Sequence, residues 1–528
     1  MEENTIVTTP HNNDKLKLDF KRTLKVGFAF LGIMLFWEVY DYIMPLILSN
    51  YFGLSAAQYG IIMGLDNLLA IFLLPFFGGL SDKAVNAKGG RRTAFIFWGS
   101  IAAAVSVVFL MIMELIQYTL LITSMKETLG VSVADLQGLD PEKDYASIMG
   151  IVSILAGNGY IDAKWLAYTS FTITDITTIQ IETAKSVMTL NPAILILFIF
   201  ALLCVLVAMA AYRSPAIALM PDVTPKPLRS QANALITLMG GVGGALSILV
   251  YMVFGAKKYE SHIALWSITA GLLLVILVLY LVFVKENKFV QQRLDEEKKY
   301  GIIDEEEEEE KRGQHKLSKS KMTSLVLILV TVFLWFMGYN CVRSHMSVYC
   351  TNFLNIKQSV VTIVNLANGI GGAVALLPCA LLSEKIGRKK TIFAGLILAA
   401  ITYIPCFFMT AATPGVSIWF PTCFILSGFG MVFVNVNTLP MVTELSKGSN
   451  VGKYTGFYYV ASMTAQAITP FLAGLIMEID GYNTYKYLFV YAIIFVLIAI
   501  VTTACIKHGD TKVRKMSAVD IINQAGED

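Results

Sequence analysis

Long apolar blocks, separated by short polar connections, constrain the fold of this chain most strongly. A helix needs about 20 consecutive apolar residues to cross a hydrocarbon core of roughly 30 Å. Twelve blocks of this kind are present, and charged residues make up only 15% of the 528 residues. Soluble domains carry about 25% charged residues. We therefore predict an all-α membrane protein, because backbone polar groups in lipid must be satisfied within each segment.

The twelve predicted spans form two sets of six. The first set lies at about 24–48, 58–80, 93–123, 192–219, 231–254 and 262–284. The second set lies at about 323–347, 359–382, 391–411, 416–441, 454–478 and 486–506. The resulting domains are an N-terminal tail at 1–23, bundles at 24–284 and 323–508, and a C-terminal tail at 509–528.

Two connections are long. Residues 285–322 are rich in charge and include an acidic run at 304–310, so we predict a solvated cytoplasmic linker that is partly disordered. Residues 124–191 connect spans three and four, and we expect them to form an external cap or hairpin. A re-entrant element near 146–157 is an alternative for part of this insert.

The basic residues are unevenly distributed among the connections. Clusters of Lys and Arg occur at 15–25, 83–92, 226–229, 385–390, 447–453 and 507–515. With twelve spans all of these clusters fall on one side of the membrane. Cytoplasmic loops carry an excess of Lys and Arg, so we predict that both termini are cytoplasmic in a multi-pass protein of the plasma membrane.

One basic loop occurs twice, once in each set of spans. Residues 78–92 read GGLSDKAVNAKGGRR, and residues 380–390 read ALLSEKIGRKK. Each pairs a carboxylate, Asp82 or Glu384, with basic residues a few positions later. A latch of this kind is typical of proteins that switch between two states. We predict that Asp82 acts with Arg91 and Arg92 and that Glu384 acts with Arg388 and Lys389, with simple membrane anchoring as the alternative.

The first copy of this loop resembles the loop between spans two and three of the major facilitator superfamily. The segment RSPAIALMPDVTPKPLRSQANAL at 213–235 and the segment WEVYDYIMPLIL at 37–48 are similar to sucrose–proton symporter-like members. The resemblance implies two pseudo-symmetric six-helix bundles that expose a central cavity to each side in turn. It also adds Arg213, Asp222 and Arg229 to the candidate gating residues.

Ionisable residues inside the spans are candidates for coupling, because a charge at membrane depth is costly. Glu38 and Asp41 are three residues apart in span one and share a helix face. Asp66 lies in span two. Carboxylates that face one cavity suit the uptake and release of a proton. The alternative is that they are water-facing or hydrogen-bonded structural groups.

Amide and aromatic side chains are the candidates for substrate binding. Amides donate and accept hydrogen bonds, so they suit hydroxyl-rich solutes, and aromatic rings offer a stacking surface. Arg343 is suited either to a carboxylate across the cavity or to an anionic substrate. The candidates are Trp37, Tyr40, Asn67, Tyr339, Asn340, Arg343, Asn365, Asn368, Asn435 and Gln466. The alternative for these residues is helix–helix packing.

These features predict a secondary active transporter of a sugar or similar polar solute, coupled to a proton by symport. An exporter or antiporter of another small molecule, or a uniporter, fits the same pattern. An enzyme or a receptor is disfavoured, since the sequence has no HExxH motif, no Walker A motif and no metal-like spacing of His and Cys. We expect no cofactor, no metal and no nucleic acid, and a monomer that binds solute, proton and lipid.

Overall fold

The computed structural model is built from α-helices and describes residues 16–84, 89–255, 259–300, 318–356, 358–445, 451–479 and 485–510. Twelve helices in these ranges are long and apolar enough to cross a membrane, as predicted. Spans one to six are Phe20–Asn50, Ala56–Lys83, Arg91–Leu129, Pro192–Val223, Arg229–Phe254 and Ile263–Phe283. Spans seven to twelve are Lys319–Phe353, Gln358–Ile386, Arg388–Phe408, Val416–Leu445, Val451–Met477 and Tyr487–Cys505.

Several spans are longer than the apolar blocks predicted, because polar residues cap their ends. Asp19 accepts a hydrogen bond from the Arg22 amide and starts span one before its first apolar residues. Ser55 and Gln58 form a reciprocal capping box that starts span two. Such caps satisfy backbone N–H groups that lack a partner within the helix.

The insert between spans three and four is helical. Its first α-helix, Tyr145–Gly157, has 13 residues and is shorter than the spans. This helix buries Ile148, Val152 and Leu155, which recur at helical spacing on one face. A second helix, Ile173–Leu190, begins at a capping box formed by Thr172 and Asp175. The external position of the insert stays a prediction.

The packing of the first bundle, spans one to six, is repeated in the second bundle, spans seven to twelve. Span three packs on span four, span one on spans five and six, and span two on span four. The second bundle shows the same contacts six spans later: nine on ten, seven on eleven and twelve, and eight on ten. The duplication suggested by the repeated loop is therefore present in the tertiary structure.

The repeat extends to the starts of spans three and nine, where a distant carboxylate replaces the usual local cap. Glu286 follows span six and accepts hydrogen bonds from the Arg92 and Thr93 amides at 3.0 Å and 2.7 Å. Asp510 follows span twelve and accepts from the Lys389 amide at 3.2 Å. The cap positions are Gly90 and Gly387, with φ of 128° and 92°, a conformation that glycine adopts without strain.

Part of the predicted linker is a helix at Glu286–Tyr300. It is tied to span one by a two-pronged ion pair from Arg22 to Glu296, with a shortest distance of 2.8 Å. This half of the linker is thus ordered against the first bundle. The acidic run at 304–310 and most of both predicted tails lie outside the described residues.

The two bundles make close contacts at the end remote from the basic loops. Asn352 of span seven donates a hydrogen bond to Asn50 of span one at 2.9 Å. The rings of Tyr59 in span two and His345 in span seven lie 5.2 Å apart. Span two also packs along span eleven. These contacts close the bundle interface at that end.

Candidate functional site

An ion-pair cluster joins the two bundles near the middle of spans one and seven. Arg343 donates to Asp41 through Nη2 at 2.8 Å and Nε at 3.2 Å, and to Glu38 through Nη2 at 3.2 Å. Glu38 and Asp41 share one face of span one, as the spacing predicts. Because an unpaired charge within a membrane is costly, this pairing accounts for all three residues lying at this depth.

The cluster borders a cleft with about 250 Å³ of empty space. Asn365, a predicted substrate ligand from span eight, lines the same cleft. Tyr42, Met346 and Ser347 complete the lining. Arg343 is therefore placed against carboxylates, and of the two roles considered for it from sequence this arrangement favours the counter-ion.

A second cleft lies within the first bundle and has about 340 Å³ of empty space. Asp66, Asn67, Trp37 and Arg213 line it. Asp66 accepts hydrogen bonds from the amide and the side chain of Asn67, at 2.6 Å and 2.7 Å. The Arg213 guanidinium lies 5.9 Å from the centre of the Trp37 ring. The structure thus places Arg213 in this cleft rather than at the basic loops.

The second bundle contributes a connected group of aromatic and amide side chains. Trp335 stacks on Tyr339 with ring centres 5.4 Å apart, and its Nε1 donates to Asn435 at 2.9 Å. Asn368 donates to the Tyr339 hydroxyl at 3.2 Å. Sequence reasoning identified Tyr339, Asn368 and Asn435 but missed Trp335, which lies one helical turn before Tyr339. Its position four residues earlier on the same face was the available signal.

Two other predicted ligands form a bond between helices. Asn340 of span seven donates to the backbone oxygen of Gln466 in span eleven at 3.1 Å. The side chain of Gln466 donates back to Ser462 in its own helix at 3.2 Å. These contacts match the packing alternative considered for the amides.

Three of the predicted substrate ligands carry a buried polar atom that is unpaired among the described residues, and one of them, Trp37, lines the second cleft. Trp37 Nε1, Tyr40 Oη and Asn368 Oδ1 are buried, and none has a hydrogen-bond partner among the described residues. Buried polar groups are normally paired, so an unpaired donor or acceptor at a cleft is a candidate contact for a ligand. Tyr40 contacts Trp37 edge-on, with ring centres 5.3 Å apart.

Arg92 is the centre of the network at the first basic loop. It pairs with Asp82 at the end of span two and, at 2.8 Å, with Asp222 at the end of span four. Arg91 also reaches Asp222, at 2.9 Å. Arg229 donates to the backbone oxygen of Pro221 at 3.2 Å. The predicted association of Asp82 with Arg92 is thus present, and it holds three spans of one bundle together.

The second basic loop is arranged differently from the sequence hypothesis. Arg388 pairs with Glu444 at the end of span ten, and Lys389 donates to the backbone oxygens of Ala504 and Ile506. Glu384 Oε2 is buried and has no hydrogen-bond partner among the described residues. Glu444 corresponds to Asp222 of the first bundle.

Glu114 of span three lies in a buried network that was not predicted from the sequence. Glu114 contacts His262 Nδ1 and accepts from Trp266 Nε1, both at 2.5 Å. Both partners belong to the start of span six. This network joins spans three and six at the end remote from the basic loops, away from both clefts.

Family and structural comparisons agree with this architecture. The family model of the Major Facilitator Superfamily matches residues 183–363 and 328–518, which together span more than half of the chain. The chain therefore belongs to the major facilitator superfamily, a class of membrane transporters. No curated protein matches it.

Three solved structures illustrate the shared fold. A D-xylose–proton symporter aligns with a TM-score of 0.55 and 13% identity, over 94% of this chain and 99% of that chain. The nucleoside transporter NupG, in a mutant form, aligns with a TM-score of 0.56 and 12% identity, over 92% of this chain and 100% of that chain. A bacterial homologue of the iron transporter ferroportin in an inward-facing state aligns with a TM-score of 0.54 and 14% identity, over 93% of this chain and 99% of that chain. At such low identity these likenesses show the fold alone.

Proposed function

We propose that this protein moves a sugar or a similar small polar solute by symport with a proton, through alternating access. The observation that carries the proposal is the ion-pair cluster of Arg343 with Glu38 and Asp41. It links the two bundles at the central cleft. A proton on either carboxylate weakens the attraction of span one for Arg343, and this couples protonation to the relative position of the bundles.

The balance of charge supports coupling to a cation. Three carboxylates, Glu38, Asp41 and Asp66, line the two clefts with only two guanidinium groups, Arg213 and Arg343. One negative charge is left when all five groups are ionised. One bound proton makes the clefts neutral. Because a net charge within the bilayer is costly, this neutral form of the protein passes more easily through a closed intermediate.

Neutral hydrogen-bonding groups support a polar, uncharged solute. Trp37, Tyr40 and Asn368 each offer a buried atom without a partner among the described residues. Hydroxyl groups donate and accept hydrogen bonds and match this mixture of donors and acceptors. The Trp37 ring, which is partly buried and lines the second cleft, offers an apolar surface for the C–H face of a sugar.

The basic loops are the proposed inner gate. Arg92 fastens spans two, three and four into one unit, and Arg388 fastens span nine to span ten. Rigid units of this kind allow one bundle to rock against the other. With the basic loops placed in the cytoplasm, the contacts remote from them close the outer side. We further propose a plasma-membrane location and a monomeric transporter.

The test is uptake by the purified chain in proteoliposomes. A panel of labelled monosaccharides, disaccharides and nucleosides is presented with the external solution more acidic than the lumen. We expect accumulation of one solute above its external concentration, together with a rise in external pH. Accumulation without any proton movement would overturn the coupling, and a lack of uptake of every sugar would overturn the solute class.

The same preparation separates the alternatives. A uniporter brings each solute only to equal concentrations on both sides, whatever the pH gradient. An antiporter expels preloaded solute as protons enter. The matched control is Asp140→Asn, which neutralises a carboxylate in the insert, far from both clefts.

A further inference from the structure

The second helix of the insert, Ile173–Leu190, contacts both bundles. Asn191 alone separates it from span four, and it packs on spans one, three and four of the first bundle. It also packs on Tyr349–Phe353, the last turn of span seven, which belongs to the second bundle. These contacts lie at the end of the molecule remote from the basic loops. A segment that is covalently part of one bundle therefore touches the other.

This insert helix approaches the connection between spans one and two so closely that only glycine fits there. Gly53 has a φ of 64°, a conformation that glycine adopts without strain. A Cβ added at Gly53 would overlap the backbone of Lys185 and would lie 2.7 Å from the backbone oxygen of Ile181. The helix is thus docked on the first bundle by close contact between backbones.

The rest of the insert also holds this helix in place. Gln180 is buried and donates a hydrogen bond to the backbone oxygen of Val133 at 3.1 Å. Ser186 donates to the backbone oxygen of Tyr160 at 2.7 Å. Because the insert joins spans three and four at its two ends, the insert helix is expected to move with the first bundle.

The last turn of span seven is polar and yet buried. Cys350, Thr351 and Asn352 are at most 7% exposed. Asn352 donates a hydrogen bond to Asn50 of span one at 2.9 Å. The last turn of a helix carries backbone oxygens without helical partners and is commonly hydrated. Its burial here depends on the elements that cover it, and the insert helix is one of them.

We propose that the insert helix is a strap that holds this end of the bundle interface closed and sets how often it opens. Since the helix moves with the first bundle, the bundles separate at this end only when its contact with Tyr349–Phe353 breaks. The contact adds to the bond between Asn50 and Asn352 and so shifts the population toward the closed form. The inference rests on the alternating access of the proposed function and on none of its statements about solute or proton.

A native thiol reports the opening of this end. Cys350 is fully buried in the last turn of span seven, so N-ethylmaleimide reaches it through opening of the interface. Cys379 is also buried, in span eight near the second basic loop, and it reports general loosening of the same bundle. Mass spectrometry of the two peptides measures the alkylation rate of each cysteine in the purified full-length chain.

Gly53→Ala is the first test, because the added methyl group forces the insert helix away from the first bundle. We expect the alkylation rate of Cys350 to rise several-fold and that of Cys379 to stay unchanged. Gly159→Ala is the matched control: its φ is 75° and no atom lies within 4 Å of the added Cβ, so it brings similar backbone strain without the overlap. An unchanged rate at Cys350, or equal acceleration at both cysteines, would overturn the proposal.

A second variant loosens the insert helix without altering the connection that carries Gly53. Gln180→Ala combined with Ser186→Ala removes two bonds that hold the helix in the insert, and it should accelerate alkylation of Cys350 in the same direction. Thr189→Ala, an exposed change on the same helix, is the control. An effect of Gly53→Ala alone would assign the closure to the bond between Asn50 and Asn352 and would refute the strap. No solute or gradient is used, so failure of the sugar or proton hypothesis leaves this test intact.

Discussion

Arg343 of span seven lies 2.8 Å from Asp41 of span one, across the boundary between the two bundles. Glu38 lies 3.2 Å from the same guanidinium nitrogen. The three side chains are only partly buried, so the cluster is accessible to water and protons from the cleft. An ion pair that both ties the bundles together and borders the cleft is placed to respond to protonation.

Neutralising Asp41 is expected to separate accumulation from exchange. In Asp41→Asn the amide cannot cycle between charged and neutral forms, so a proton gradient no longer drives uptake. We expect accumulation to fall at least about tenfold, which corresponds to about 1.4 kcal/mol. Exchange of solute at equal concentrations on both sides should persist. The measurement is a comparison of proton-driven uptake with counterflow in proteoliposomes.

Asp140→Asn is the control for this variant and should retain both activities. Loss of counterflow together with accumulation in Asp41→Asn would contradict a coupling role. That result would assign Asp41 to solute binding.

Removing Arg343 is expected to destabilise the protein, and a second change should rescue it. Arg343→Gln leaves two neighbouring carboxylates without a counter-ion. Breaking a fully buried pair costs about 3–5 kcal/mol, and we expect roughly 1–3 kcal/mol here because solvent screens these partly exposed groups. The double variant Arg343→Gln with Asp41→Asn restores the balance of charge. Thermal unfolding of the purified proteins measures both effects at neutral pH.

The rescue distinguishes charge balance from lost packing. A double variant that is no more stable than Arg343→Gln alone would show that the guanidinium acts through packing. Lys143→Gln, in the insert, removes an exposed ion pair with Asp140 and is the control. Exposed pairs contribute at most about 1 kcal/mol.

Glu286 is expected to hold the linker and span three together. It accepts from the Arg92 and Thr93 amides and, at 2.7 Å, from the Thr93 hydroxyl. Glu286→Ala leaves these buried donors unsatisfied, at a cost of about 1–3 kcal/mol. Thermal unfolding is the measurement, with the exposed Lys288→Ala as control. Equal stability of the two variants would refute a capping role for Glu286.

The insert is expected to loosen in acid through Asp135. Burial alone would raise the pKa of Asp135, but Lys126, at 2.7 Å, and the amide and hydroxyl of Ser132 bind its carboxylate and lower the pKa below its ordinary value. The stabilisation is therefore complete above about pH 4, the pKa of an unfolded Asp, and is lost as pH falls through the lower pKa of the folded state.

Hydrogen exchange of residues 126–136, corrected for the chemical rate at each pH, measures this loosening. We expect Asp135→Asn to remove the acid-dependent part of the profile. Glu127→Gln, an exposed change in the same segment, should keep it. An Asp135→Asn profile identical to that of the unmodified protein would assign the loosening to other groups.

The number of spans and their duplication were predictable from the sequence because both depend on local patterns. A helix that crosses a membrane needs only its own run of apolar residues, and the basic loops at 78–92 and 380–390 repeat within a few positions. The shared face of Glu38 and Asp41 also follows from helical spacing. Span ends were less accurate where a cap such as Asp19 extends the helix.

Only the tertiary structure decided which distant side chains meet. In the structure Arg343 pairs with Asp41 and Glu38, and Arg388 pairs with Glu444. Arg213 lies in the cleft beside Trp37, whereas the sequence analysis predicted it at the gate. The insert helix Ile173–Leu190 packs on the end of span seven. These partners depend on the rotation and the register of one packed helix against another. The apolar pattern that predicts each helix determines neither its rotation nor its register. The sequence by itself therefore determined twelve helices in two related halves, and the packing of those halves determined the site.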